Sequence, residues 1–457
     1  MSERRSLFAS HWSATPIARI LQPMQEFIDH EQSSGIILLA MTILALLIAN
    51  SPLATGYFAL LDTKVGFVAG PFELKESVLH WVNDGLMVLF FFLVGLEIKR
   101  EVLVGELSNL RAAALPIIAA IGGVCVPAAI FLALNTGGPG MQGWGVPMAT
   151  DIAFALGCMA LLGSRIPFTL KIFLTAVAIV DDLIAVLVIA LFYSSGINVA
   201  ALGLGLAVLA VLFGANFLGI RSPVIYIVLG IVVWLAFLKS GVHATIAGVL
   251  VALTIPARNR IDAPTFLARA QAILSQFDAN DQEASRMLTD EQQQSAVIEL
   301  EEACEQVQAP LQKLEHSLHS WVSLLIMPVF ALANAGVALA GSQLGGEALP
   351  VVLGVVLGLA LGKPIGLTAA AWLAVRLGLA DLPKGVSWYQ MVGVGVLAGI
   401  GFTMSLFISS LAFAEPALLA TAKLAILIAS LLAGGAGMLM FVRAPAPREA
   451  ALPAAEA

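Results

Sequence analysis

The sequence predicts an all-α integral membrane protein with about twelve transmembrane helices. It also predicts inverted repeats and a short hairpin on the outside. Three observations carry the fold class. The 457 residues are 59% hydrophobic and only 12% charged, with a mean hydropathy of +0.94, whereas soluble domains carry about 25% charged residues. Apolar runs long enough to cross a hydrocarbon core of about 30 Å recur along the chain. The basic residues between those runs fall almost entirely on one side.

Twelve apolar segments are expected, at 34–52, 78–97, 112–134, 145–163, 171–193, 199–219, 223–238, 242–256, 318–340, 349–375, 388–413 and 419–442. Residues 1–33 read as a cytoplasmic N-terminal segment, 34–256 as spans one to eight, 257–317 as a cytoplasmic polar insertion, 318–442 as spans nine to twelve and 443–457 as a cytoplasmic tail. With the N-terminus inside, 18 of the 23 basic residues fall on cytoplasmic segments. Lys64, Lys75, Lys239 and Lys423 fall outside, and Lys363 falls within a span. That bias sets the orientation and puts both termini in the cytoplasm. The N-terminal residues lack an apolar core followed by a small-residue cleavage site, so no cleaved signal peptide is expected.

Other partner classes are excluded on composition. The formal charge of −7 is mostly local to the insertion, and nothing suggests nucleic-acid binding. Cys125, Cys158 and Cys304 are far apart and lack metal-ligand spacing, so neither disulfides nor zinc is expected. No cofactor is implied.

Two connections stand out. In "VGFVAGPFELKE", alternation around Ala69-Gly70-Pro71 suggests a hairpin; an ordinary connector is the plainer reading. The insertion, with "DQEASRMLTDEQQQSAVIELEEACEQVQAPLQKLEH", is too charged to enter lipid and is helical in part by pattern. A solvated loop is preferred there over a regulatory domain.

Charges inside the spans carry the functional reading. Asp181 and Asp182 are central in span five, Asp151 lies in span four and Lys363 in span ten. Asp84, nearer the end of span two, reads equally as interfacial or functional. A carboxylate at the bilayer centre costs on the order of 3 kcal/mol on insertion scales. One Asp–Lys pair could simply fix packing. Three central aspartates against one lysine leave a surplus of negative charge, and a buried carboxylate without a counter-charge either protonates or finds a cation. The surplus points to a site that exchanges protons for a metal cation. Successive helix residues point about 100° apart, so Asp181 and Asp182 should have different partners and different roles.

Spans four and eleven look interrupted. Pro147, Thr150 and Asp151 suit a continuous apolar helix poorly, and span eleven holds "LAGIGFTMS", with Gly399, Gly401 and Thr403 near its centre. Spans three to five and ten to twelve would then form two inverted three-helix units. Paired broken helices in opposite halves mark transporter ion sites. Breaking them exposes positive N-terminal and negative C-terminal ends, which Asp151 and Lys363 could neutralise. Close glycine-mediated packing is a second account of the glycines.

These motifs resemble one family. "GWGVPMATDIAFALG", "AVAIVDDLIAVLVIALFY", "KSGVHATIAG", "FALANAGV", "LGKPIG" and "GIGFTMSLFI" look like the NhaA family of Na⁺/H⁺ antiporters, in order over about residues 30–440 except the insertion. The resemblance implies an electrogenic, pH-regulated antiporter of the bacterial inner membrane that expels Na⁺ or Li⁺ in exchange for protons. It implies that Asp182, with Asp181, is the ion and proton site, that Lys363 pairs with Asp181, that Thr150 offers an oxygen ligand and that Asp151 compensates helix ends. It implies a pH-sensing face at Glu97, Arg100, Glu101, Glu315, His316 and His319. Glu97 with Glu101 and Glu315 with His319 are i,i+4 pairs, and histidine titrates in the physiological range; an interfacial charged rim is the plainer reading. It also implies a homodimer through the outside hairpin Val65 to Lys75. The insertion departs from familiar members and puts the pH response, not the ion chemistry, in question.

Three other functions fit less well. A cation-coupled solute symporter is the alternative, but the central spans offer few groups to recognise an organic solute. A cation channel favours rings of carboxylates from several subunits. An enzyme would need a nucleophile–histidine pair or a metal-ligand cluster.

Overall fold

The computed structural model describes residues 33–69, 72–194, 196–278, 291–339 and 345–444. Most of the expected N-terminal segment, the Gly70-Pro71 hairpin tip, part of the insertion and nearly all of the expected C-terminal tail lie outside the described residues. Each of the twelve expected spans contains one helix or a run of consecutive helical pieces. Among the described residues, seven helices are long and apolar enough to cross a membrane, and two bent pairs would add two more. The chain is a multi-pass helical membrane protein.

The chain divides into two compact units. The first contains residues 33–90, 101–194 and 322–444. It opens with α1 (Ser33–Ala49) and α2 (Ala54–Asp62), bent by 110°. Hydropathy alone does not anticipate α2. Asn50 stops α1, its side-chain amide capping Leu46 O at 2.9 Å. β1 (Lys64–Ala69) and β2 (Phe72–Ser77) follow as an antiparallel pair, in register from Lys64 opposite Ser77 to Ala69 opposite Phe72. Gly66 is required there, because a Cβ would sit 1.9 Å from Leu74 O.

A short turn at Val78–His80 and a π-helical turn at Trp81–Leu86 lead into α3 (Met87–Val104). Next come α4 (Leu110–Asn135), a 3-10 helix at Met141–Met148, α5 (Ile152–Leu161) and α6 (Phe168–Phe192). The later part holds α13 (Met327–Asn334), α14 (Leu349–Leu357), α15 (Lys363–Arg376), α16 (Trp388–Ala398), α17 (Phe402–Ala412) and α18 (Pro416–Arg443). α4 and α15 pack tightly. Gly122 and Gly366 meet there, since a Cβ on either would lie within 2.3 Å of the other's carbonyl oxygen. Small residues let membrane helices approach this closely.

Two further π turns, Val322–Ile326 and Gly358–Gly362, each precede a proline, Pro328 and Pro364. Proline has no N–H to give the carbonyl four residues back, and the ring crowds it, so the helix widens locally. Lys363 therefore begins α15 after a widened turn, rather than sitting midway along an unbroken span.

The second unit contains residues 91–100 of α3, with α7 (Val199–Phe217), α8 (Pro223–Leu238), α9 (Ala244–Thr254), α10 (Ala263–Asp278), α11 (Glu291–Val307) and α12 (Pro310–Trp321). Gly95 lets α3 and α9 touch: a Cβ there would lie 2.7 Å from that of Ala252. Lys99 caps the end of α9, donating to Leu253 O at 2.6 Å and Ile255 O at 2.5 Å. The described residues of the insertion are largely helical. α10 and α11 pack on one another and bury Ile273, Ala296 and Ala303, since small apolar residues interrupt the charged pattern on both helices.

Candidate functional site

The breaks in spans four and eleven meet. Ala149-Thr150-Asp151 separates the 3-10 helix from α5, and Gly399-Ile400-Gly401 separates α16 from α17. The 3-10 helix packs against α17, while α16 packs against α5. The first half of each broken span thus touches the second half of the other, as in an antiparallel crossing. A backbone bond from Asp151 N to Ile400 O, 2.7 Å, joins the two interruptions. Neither glycine has a positive φ. Gly399 is needed for close approach instead: a Cβ would lie 2.4 Å from Leu359 O in the π turn before Lys363. At Gly401 it would meet Ser405 Oγ at 2.2 Å and Leu359 Cδ2 at 2.9 Å.

Four helix ends are exposed at the crossing, and side chains answer all four. Asp151 takes both N-terminal ends. Its Oδ1 accepts from Phe154 N at 2.9 Å, capping α5, and its Oδ2 accepts from Thr403 N at 3.1 Å and from the Thr403 hydroxyl. The C-terminal ends are met by donors. Lys363 Nζ donates to the Met148 carbonyl, and Thr150 Oγ1 lies 2.9 Å from Ala398 O. Orphan N–H and C=O groups at helix ends need such partners, and carboxylate and amine match the dipole signs.

α6 brings the aspartate doublet to this place. Asp181 Oδ2 pairs with the Lys363 ammonium and lies 2.7 Å from Thr150 Oγ1. The hydroxyl has one proton to give, so it serves Asp181 or Ala398 at one time. Asp181 Oδ1 has no hydrogen-bond partner among the described residues. Asp182 is equally buried, at 1% exposure, and its charge lies within electrostatic reach of Lys363. The lysine ammonium itself bonds to Asp181.

The other expected residues are elsewhere in the chain. In the second unit, Arg100 on α3 pairs with Glu315 on α12. Glu97 is half-buried, and His316 and His319 are exposed on α12. In the first unit, Glu101 Oε2 accepts from Glu106 N at 3.0 Å, closing the turn after α3. Asp84 pairs with His80 at 3.0 Å.

Several participants do not stand out from sequence as site residues. Thr403 is the second partner of Asp151, and Ser405 Oγ donates to Val146 O at 2.7 Å. Ser430 Oγ receives Phe402 N at 3.1 Å. Lys423, expected at the outer rim, is buried in α18 at 8% exposure. Each carries a signal, being a polar group in an apolar run, but such a group is also tolerated when it bonds within its own helix.

Crossed, interrupted helices with charged side chains answering their ends define a membrane transporter of the inverted-repeat class. Comparison with known proteins narrows the class. The family model described as Na⁺/H⁺ antiporter 1 matches residues 25–441, and the chain belongs to that family. It is 51% identical to the Na(+)/H(+) antiporter NhaA of Oleidesulfovibrio alaskensis over 425 residues, 93% of this chain and 94% of that protein. It is 49% identical to the protein of that name from Koribacter versatilis, over 94% and 93% of the two chains. It is also 49% identical to Na(+)/H(+) antiporter NhaA 2 of Syntrophotalea carbinolica, over 94% and 98%.

Proposed function

We propose that this chain exchanges Na⁺ or Li⁺ for protons, electrogenically and by alternating access, with Asp182 as the principal ion ligand and Asp181 as its partner. One observation carries the assignment: two adjacent carboxylates are buried beside crossed helix breaks, and the Lys363 ammonium is bonded to Asp181. Proton and metal ion compete for the same carboxylate oxygens. When the site faces the cytoplasm, loss of protons admits the cation. When it faces outward, protons displace it. Asp181 is already paired, so its share in ion binding requires Lys363 to withdraw, and the Thr150 oxygen becomes available as it turns between Asp181 and Ala398. Asp151 keeps the broken ends in place throughout.

The expected residues of the cytoplasmic face supply the pH response in this reading, through Glu97, Arg100, Glu101, Glu315, His316 and His319. The protein works in the bacterial inner membrane with both termini in the cytoplasm, and residues 257–317 project there. Two copies pair through the hairpin Val65 to Lys75, whose strand edges offer backbone groups to a second copy.

The reading is tested in proteoliposomes that carry a proton gradient reported by a pH-sensitive dye. Addition of Na⁺ or Li⁺ should dissipate the gradient. A gradient unaffected by either ion across the pH range would overturn the proposal.

A further inference from the structure

One buried charge has no part in the exchange described above. Lys423 lies on α18, one face of which carries Ser430 seven residues later. Seven residues are two turns, so both side chains share a face, about 10 Å apart along the axis. Ser430 Oγ accepts from Phe402 N, the first amide of α17 beside Thr403. Lys423 therefore stands about 10 Å along α18 from the helix crossing.

Its hydrogen-bond partner is a neutral amide. Lys423 Nζ approaches Asn334 Oδ1 at 3.5 Å, and it forms no ion pair with a carboxylate among the described residues. Asn334, fully buried at the end of α13, donates from Nδ2 to Asn83 Oδ1 at 2.7 Å and to Phe330 O at 3.2 Å. The ammonium is thus oriented by a two-amide chain that ends in the π turn of span two. It also lies at the C-terminal end of α13, where a positive charge is favoured. A lysine placed only for packing would be replaced at less cost by an apolar side chain, because burying an ammonium without a carboxylate is expensive.

Resting on the sodium/proton reading above, we infer that Lys423, held by Asn334 and Asn83, sets the affinity of the site for its cation. Its fixed positive charge opposes the bound ion through the protein and keeps binding weak enough for release. It acts without touching the ion, as a positioning charge rather than a ligand. The axial offset is a lower bound on the separation, and at an effective dielectric near 20 a unit charge about 10 to 20 Å away changes cation affinity by roughly four-fold to somewhat over ten-fold.

The test is the apparent KM for Na⁺ in proteoliposomes at one neutral pH, the same for every variant. Wild type, Lys423→Met, Lys423→Arg and Asn334→Asp are compared. Lys423→Met should lower KM severalfold or more, and Lys423→Arg should keep it near wild type. Asn334→Asp, which supplies a carboxylate to the same ammonium, should lower KM in the same direction. It also decides the question should Lys423→Met not fold. An unchanged or raised KM in the folded variants overturns the inference, as does an equal shift in Met and Arg, which would mean packing alone. Absence of Na⁺-driven exchange in the wild type would instead overturn the functional reading on which the inference rests.

Discussion

Lys363 and Asp181 are joined as a buried ion pair, and the same ammonium also bonds the Met148 carbonyl at the end of the 3-10 helix in the broken fourth span. One side chain thus links the aspartate doublet, the proposed ion site, to the helix break. In the proposed exchange, ion occupancy would act on the broken helix ends through Lys363.

Removing the lysine should destabilise the protein strongly. Lys363→Met leaves Asp181 and the Met148 carbonyl buried without their donor, and breaking a buried pair costs roughly 3–5 kcal/mol. The thermal midpoint in detergent should fall markedly. Adding Asp181→Asn should recover a good part of that loss. A double variant no more stable than the single one would show that the pair is not its source.

Asp151 should divide into two effects, shape and charge. Asp151→Asn retains an oxygen for one helix N-terminus but loses the charge, whereas Asp151→Ala leaves both ends uncapped. Loss of one N-cap costs about 0.5–2 kcal/mol, so the alanine variant should melt well below the asparagine variant. Equal midpoints would mean that the capping bonds contribute little.

Gly399→Ala should be harmful although its backbone is unstrained. The added Cβ would sit 2.4 Å from Leu359 O, so α16 and the π turn must separate. Overpacking of this kind costs about 1–3 kcal/mol. Exchange rate and thermal midpoint should fall together; a variant indistinguishable from wild type in both would show that the close approach is dispensable.

Arg100 and Glu315 should behave differently from the buried pair. Arg100 is 36% exposed, and pairs open to solvent contribute only about 0–1 kcal/mol. Arg100→Ala should leave the thermal midpoint nearly unchanged while displacing the pH profile of exchange. An unmoved profile would leave this cluster as a charged rim.

Much of the architecture is legible in sequence because lipid imposes a simple rule: apolar length gives spans. Pro147, Thr150 and Asp151 advertise one break, and Gly399 and Gly401 the other. The alternation around Gly70-Pro71 marks the two strands. Other features are hidden for physical reasons. The widened turn before Lys363 arises from Pro364 acting on a carbonyl four residues back, a local effect that hydropathy does not register. The bonds of Asp151 with Thr403 and of Thr150 with Ala398 join residues about 250 positions apart. Lys423 departs from expectation because a lysine near a helix end normally reaches water, whereas this one is enclosed and turned toward Asn334.

Asp182 is the residue on which we propose that Na⁺ and protons compete. The most direct test is Na⁺-induced collapse of a dye-reported proton gradient in proteoliposomes containing wild type or Asp182→Asn, matched for amount and folding. Collapse is expected with wild type and none with Asp182→Asn. Exchange by Asp182→Asn at the wild-type level would contradict it.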